Sequence, residues 1–279
     1  MIKTGQAAPV FTDRGDSFRD IRDFKNKIMR IKPSLLYIFV VFLVAPCIGQ
    51  EIHFPMPGNS DYPKIRSNGA KIEDFVPPHF DVVSKVSGDL NGDAKPDVAL
   101  HIKGTFSKFI TKLEYGSDFD TNPRILIILL AEKGQRGYRL AVQNNCFVPT
   151  PDSPTDAEPF QGMSIRRGVL RLDFELWQSM GSWAATNASY KFQYRNGEFV
   201  LIGADREDYM RNSYDSTALS YNFLTGRVKT VDGPRRDLES NPEPIRKKIT
   251  WRKLRNIKPR ALKDLRAAFS WEIEPDIFI

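Results

Sequence analysis

A mainly β fold, an antiparallel sandwich or curled sheet, is predicted by three stretches of this sequence. Tyr190–Arg195 and Glu198–Gly203 flank Asn196-Gly197, and Asn-Gly supplies the positive φ angles that a two-residue type I′ turn requires. Leu170, Leu172, Phe174 and Leu176 alternate with Arg171, Asp173, Glu175 and Trp177, which describes a half-buried strand with one wet face. The apolar run that follows Arg124 and ends at Ala131 has strand length and reads as a buried central strand.

Taken in order, the chain gives about eight strands at hairpin spacing, as in a sandwich. Residues 50–70 are rich in Pro, Gly, Ser and Asn and read as a flexible leader. Asp81–Val86 is extended. Val98, Leu100 and Ile102 then alternate with Ala99, His101 and Lys103, a period of two that predicts a strand. Phe106, Phe109, Ile110 and Leu113 fall at helical spacing and predict a short amphipathic helix. Glu132–Gly137 is a turn, and Tyr138–Val142 returns as a strand. Residues 147–160 carry four prolines and read as a loop. Ser220–Leu224 and Arg227–Val231, joined by Thr225-Gly226, make a less regular second hairpin. Pro259 can open a short C-terminal helix, with Leu262, Leu265 and Phe269 on the face that docks. The expected organisation is a β-rich domain over 71–234 and a basic C-terminal segment with a helix over 235–279.

Hydrophobic content of 41% and charged content of 27% are those of a globular protein. The net charge of +7 is unevenly spread. Residues 235–266 hold 12 basic and 4 acidic side chains, whereas residues 50–234 hold 21 and 23. A body at −2 gives no reason to expect a nucleic-acid partner. The basic segment could instead meet an anionic surface or an acidic polysaccharide.

Residues 29–49 read as a signal peptide: Met29-Arg30-Ile31-Lys32 is a positive start, and Leu35–Ala45 is an apolar run too short to span a bilayer. Residues 1–28 lack apolar periodicity and read as a non-native extension ahead of Met29. The expected location is secreted, periplasmic or cell envelope, with a mature start near Gln50. A lipoprotein anchored through Cys47 is the alternative. Cleavage before Gln50 leaves Cys146 as the one cysteine, so no disulfide is possible within the mature chain.

The stretch Gly88–Leu100 carries the chemistry. Asp89, Asn91, Asp93 and Asp97 stand at positions 1, 3, 5 and 9 of a short loop, with the Lys95 carbonyl at position 7. Three carboxylates and an amide so crowded repel one another unless a cation sits between them. Calcium takes six to eight hard oxygen ligands in a flexible shell. Position 12 is Leu100 rather than Glu, and the flanks are extended, so the loop is not an EF-hand.

This stretch resembles the calcium loop of FG-GAP/VCBS repeats, found in integrin-type propellers and many secreted bacterial proteins. The resemblance covers Val86 to Leu100. It implies that Asp89, Asn91, Asp93 and Asp97 bind Ca²⁺ through side chains and Lys95 through its carbonyl. The family usually has Gly at position 6, where the backbone turns left-handed. Here it is Ala94, at a cost on the order of 1 kcal/mol, which implies weak affinity. One such loop is too few for a propeller, which needs at least four blades.

Nothing else in the sequence points to chemistry. His53, His79 and His101 form no metal-spaced pair, and each is expected to be solvated or hydrogen-bonded. No nucleophile elbow or phosphate loop occurs. The expected function is that of an exported, calcium-stabilised, non-enzymatic β domain with a binding or structural role. An exported hydrolase with a non-contiguous site is the alternative, as is a carbohydrate-binding protein using Trp177, Trp183, Tyr190 and Tyr194.

Overall fold

The structure is a computed structural model describing residues 53–114, 116, 118–132, 137–234, 247–254 and 257–279. The extension, the signal segment, Cys47 and the Gln50 start lie outside the described residues. The fold belongs to one unit, Ile52–Ile279.

Its first strands are β1 (Asn68–Gly69), β2 (Phe80–Gly88), β3 (Asp97–Gly104), the ribbon β4 (Ile110–Thr111) and β5 (Phe119–Asp120), β6 (Arg124–Ala131) and β7 (Tyr138–Asn144). Next come β8 (Phe160–Arg166), β9 (Val169–Leu176), β10 (Ala184–Arg195), β11 (Glu198–Met210), β12 (Asp215–Asn222), β13 (Arg227–Pro234) and β14 (Lys248–Lys253). A ribbon of β15 (Glu272–Glu274) and β16 (Ile277–Phe278) closes the chain. The protein is mainly β, in antiparallel sheets, as predicted. The smaller sheet has the order β1-β7-β6-β3-β2, and the larger is a meander from β8 to β14.

Strand β6 shows why its sequence is apolar without alternation. Leu126, Ile128 and Leu130 join the core shared with the larger sheet, where Leu172, Phe174, Tyr190, Phe192 and Leu201 meet them. Ile125, Ile127 and Leu129 join a second core on the opposite face, with Val98, Leu100 and Ile102 of β3. β6 is therefore buried on both sides, as is β3, and either register of its side chains must be hydrophobic, whereas the edge strand β2 leaves Val82 and Val83 exposed. The larger sheet alternates as expected over most of β9: Leu170, Leu172 and Phe174 are buried, while Arg171, Asp173 and Glu175 face outward, but Leu176, expected in the buried row, is 41% exposed at the strand end.

The stretch expected to be a flexible leader helps cover that second core. Ile65 is buried there with Tyr62 packed beside it, and Phe75, Ile72 and Val76, just past the leader, complete the cover. Gln143 stitches the segment down: its Oε1 accepts from Ile65 N at 2.9 Å, and its Nε2 donates to Pro63 O at 2.8 Å. β1 then pairs with the edge of β7.

Neither predicted helix forms. Among the described residues, helical structure is limited to 3-10 turns at Asn59–Asp61, Ile72–Phe75, Ser107–Phe109 and Leu262–Asp264. The reason is lateral competition for backbone groups. Asn122 takes both Phe106 N and Phe106 O through its side-chain amide, and Phe109 O accepts from Thr121 N. At the C-terminus, Arg260 O accepts from Leu201 N, and the buried Asn144 amide donates to Leu262 O at 2.8 Å and Leu265 O at 3.2 Å. Phe109 O and Arg260 O are spent on lateral partners, while Phe106 O and Leu262 O each keep one 3-10 bond, from Phe109 N and Leu265 N, beside the lateral one, so neither segment extends past a single turn. The docking expectation does hold: Leu262 and Leu265 are buried in the shared core, and Phe269 packs against it.

Candidate functional site

The loop between β2 and β3 is strand–loop–strand, with Gly88 paired to Asp97 at its base. Its backbone winds around Asp89. One carboxylate oxygen of Asp89 accepts from Gly92 N at 2.7 Å and Asp93 N at 3.2 Å, and the other accepts from Ala94 N at 2.9 Å. These N–H groups, Ala94 foremost, hold the Asp89 carboxyl below its ordinary range. Asn91 Oδ1 accepts from Asp93 N and Asp93 Oδ1 accepts from Lys95 N, each at 3.0 Å. Both are local Asx turns. Ala94 has φ of 64°, the left-handed conformation expected at position 6, and Gly92 has φ of 80°.

Asp97 does something the sequence did not announce. It is fully buried, and its two oxygens accept from Leu90 N and Ala131 N, both at 2.8 Å. Leu90 in turn sits in the core between the sheets. Lys95 Nζ adds a bond to Glu132 O at 2.6 Å. The loop is thereby bolted to the end of β6. Burial pushes the Asp97 carboxyl above its ordinary range, and the Asp93 charge pushes the same way, against the two N–H donors.

The signs follow from linkage. Asp89, lowered on folding, contributes stability above the unfolded carboxyl pKa and loses it as pH falls through the folded value. Asp97, raised on folding, makes its ionisation a cost that is fully present above its folded pKa. A cation beside Asp93 and Asp97 would offset that cost at neutral pH.

Among the described residues, no three His, Cys, Asp or Glu side chains are gathered closely enough to hold a metal ion. The donor chemistry nevertheless fits a hard cation. A carboxylate oxygen has two lone pairs. Asn91 Oδ1 accepts a single bond, and Asp93 Oδ2 accepts none among the described residues, so both keep capacity for a cation. With Asp89, Asp97 and the Lys95 carbonyl, these side chains would be the ligands.

His101 is a correction. It is neither solvated nor hydrogen-bonded: it is 1% exposed, both ring nitrogens lack a partner among the described residues, and the ring packs edge-on against Phe160 at 4.5 Å. Burial first, then the charges of Arg124 and Lys103, lower its pKa to about 3, so it is neutral at neutral pH. Beside it the buried Arg124 reaches out to Glu158 at 2.7 Å.

A cleft of about 660 Å³ lies among Met56, Pro151, Asp156, Glu175, Trp177 and Phe269. Two of its three acids, Asp156 and Glu175, are already engaged. Asp156 accepts from Asp152 N, Ser153 N and Gln178 Nε2, and Glu175 accepts from the Tyr209 hydroxyl. No histidine, cysteine or serine is among its described lining residues.

The four aromatics proposed for sugar stacking separate. Tyr190 is core and Tyr194 packs on Phe199, while Arg211 lies over Trp177 at 4.6 Å and Trp183 at 5.6 Å. The sequence reading passed over Trp251, which is 65% exposed on β14. Its signal was the period-two spacing of Ile249 and Trp251 inside a run of charges. No family model matches the chain, and no curated protein or solved structure matches it.

Proposed function

We propose that the chain is an exported β domain that calcium stabilises through the loop 89–97, and that its role is binding or structural rather than catalytic. One observation carries the reading: a loop with hard oxygen donors at positions 1, 3, 5, 7 and 9 is wound about Asp89 and tied through Asp97 to β6. A cation there would act on the most buried strand of the fold, so binding free energy becomes folding free energy. Exported calcium modules bind at roughly 10⁻⁴–10⁻³ M, and the left-handed Ala94 supports the weak end.

The test is thermal unfolding with excess calcium and with chelator. At a free concentration 100-fold above the dissociation constant the gain is about 2.7 kcal/mol. Asp93→Ala should lose most of it, because Asp93 carries no bond to the body of the fold among the described residues. Equal melting of the wild type in both buffers at millimolar calcium would reduce the loop to a plain set of Asx turns.

Export rests on the charged start and apolar run of residues 29–49. Mass spectrometry of the native protein should give a mature start near Gln50. A lipid-modified Cys47 would make it an anchored lipoprotein, and an intact residue 1 in the envelope would sink the cleavage.

A further inference from the structure

The outer face of the larger sheet holds a second site, remote in sequence from the loop. Antiparallel register places two rows of side chains across five strands. One row runs Lys191, Gly203, Asn222, Arg227, Lys253, and the next runs Ser189, Asp205, Ser220, Lys229, Trp251. Directly paired residues share a face, and the neighbouring Val228 and Tyr221 are buried on the opposite one.

Eight residues of the two rows line a cleft of about 640 Å³, and Lys253 stands just past its rim, at the end of the first row. Gly203 and Ser220 give it a low floor. A Cβ at Gly203 would lie 2.9 Å from Tyr221 O, so the floor there is backbone. Trp251 forms one wall and the Lys191–Asp205 ion pair, at 2.5 Å, the other.

Charge separates the Trp251 side of this cleft from the rest of the face. Arg171 is paired with Asp173, and in the far wall Lys191 is paired with Asp205. Arg227, Lys229 and Lys253 make no ion pair among the described residues, and Arg227 stands directly opposite Lys253. Like charges directly opposed across a strand pair destabilise it. Lys229 also sits over the Trp251 ring, 5.9 Å from its centre. Three cations lacking partners, around an exposed flat ring, suit a ligand that is anionic and has an apolar face.

We propose that this cleft binds an acidic polysaccharide, a chain of uronic acid residues. The Trp251 ring stacks on the apolar face of one sugar, and Arg227, Lys229 and Lys253 pair with carboxylates on it and on its neighbours. Hydroxyls meet Asn222 Nδ2, Ser220 Oγ and Asp205 Oδ1, none of which is engaged among the described residues. A nucleic acid fits less well. Its phosphates would meet the Asp205 carboxylate, and one ring stacks only one base where single-strand binders use several. A bilayer is flat and would not enter a recess.

The experiment is calorimetric titration of the full chain, free of any lipid or nucleic acid, with polygalacturonate. Dextran, polyacrylate and oligothymidylate are the comparison ligands. Polygalacturonate should bind, more weakly as salt rises, and dextran should not. Trp251→Ala and Lys229→Ala should each weaken binding about tenfold, with melting temperatures near wild type because both side chains lie on the solvent face. Arg227→Gln, at an exposed position, is a further variant should either fail to fold. No binding of polygalacturonate at low salt would overturn the proposal. Equal affinity for polyacrylate with no effect of Trp251→Ala would make the cleft a plain polyanion patch. Tighter binding of oligothymidylate would make it a nucleic-acid site.

Discussion

The central strands β3 and β6 of the five-stranded sheet are buried on both faces, whereas the seven-stranded sheet keeps one face wet. The difference assigns them different work. A strand buried on both faces offers no free surface, so a loop tied to its end acts first on stability. A sheet with a wet face can hold polar side chains in register at no cost to the core. The 89–97 loop belongs to the first kind and the Trp251 cleft to the second.

Truncation in each sheet gives the largest contrast. Ile127 on β6 is fully buried, whereas Ile249 on β14 is 54% exposed. Ile127→Ala should cost about 2–5 kcal/mol, from lost burial and the cavity left behind. Ile249→Ala should stay within about 0.5 kcal/mol. Urea denaturation of both variants checks this. Similar losses would mean that β14 is integral to the core and that its exposure is illusory.

Next comes a comparison inside the loop, between two carboxylates that the sequence presents as equals. Asp97→Ala leaves Leu90 N and Ala131 N without their acceptor in a buried setting, which should cost about 2–4 kcal/mol with or without calcium. Asp93→Ala should cost little in chelator and show its effect only when calcium is present. If both variants lost stability equally in chelator, the division between an anchoring carboxylate and a cation-facing one would be wrong.

That division also marks what could be read from the residues alone. Spacing located the loop and the strand after it, and the resemblance to the FG-GAP/VCBS loop implied a left-handed residue at position 94. The Asn196-Gly197 turn formed as read, with φ of 52° and 87°. Alternation located β9, and the absence of alternation located β6. What failed were inferences from composition and from three-residue spacing. A Pro- and Gly-rich stretch describes irregular backbone, yet residues 63–69 are irregular and held, because Gln143 and β7 satisfy their backbone groups. Phe106 with Phe109, and Leu262 with Leu265, share a face in a single 3-10 turn as well as in a helix. Asn122 and Asn144, distant in sequence, hold those turns through their side-chain amides. β14 was hidden because three charges in six residues mask its two apolar ones. The bond from Asp97 to Ala131 spans 34 residues, and no local pattern encodes it.

The smallest expected effect tests the loop at one backbone angle. Ala94 is exposed, so its methyl contributes no packing, and it sits at φ of 64°. A left-handed non-Gly residue costs roughly 1–2 kcal/mol in the folded state. Glycine removes that strain but adds freedom to the unfolded chain, which takes back about 0.4–1 kcal/mol. Ala94→Gly should therefore stabilise the domain in chelator by a net amount of about 0.5 kcal/mol. Its larger consequence is for calcium. The Ala94 N–H is the leading restraint on Asp89, and relieving strain there frees the turn to close around a cation. The variant should reach half of its calcium-dependent melting shift at a lower calcium concentration than the wild type. A stabilised variant with an unchanged calcium midpoint would show that the turn is set by the hairpin alone. A destabilised one would show that φ at position 94 is not strained, and the argument for weak affinity would go with it.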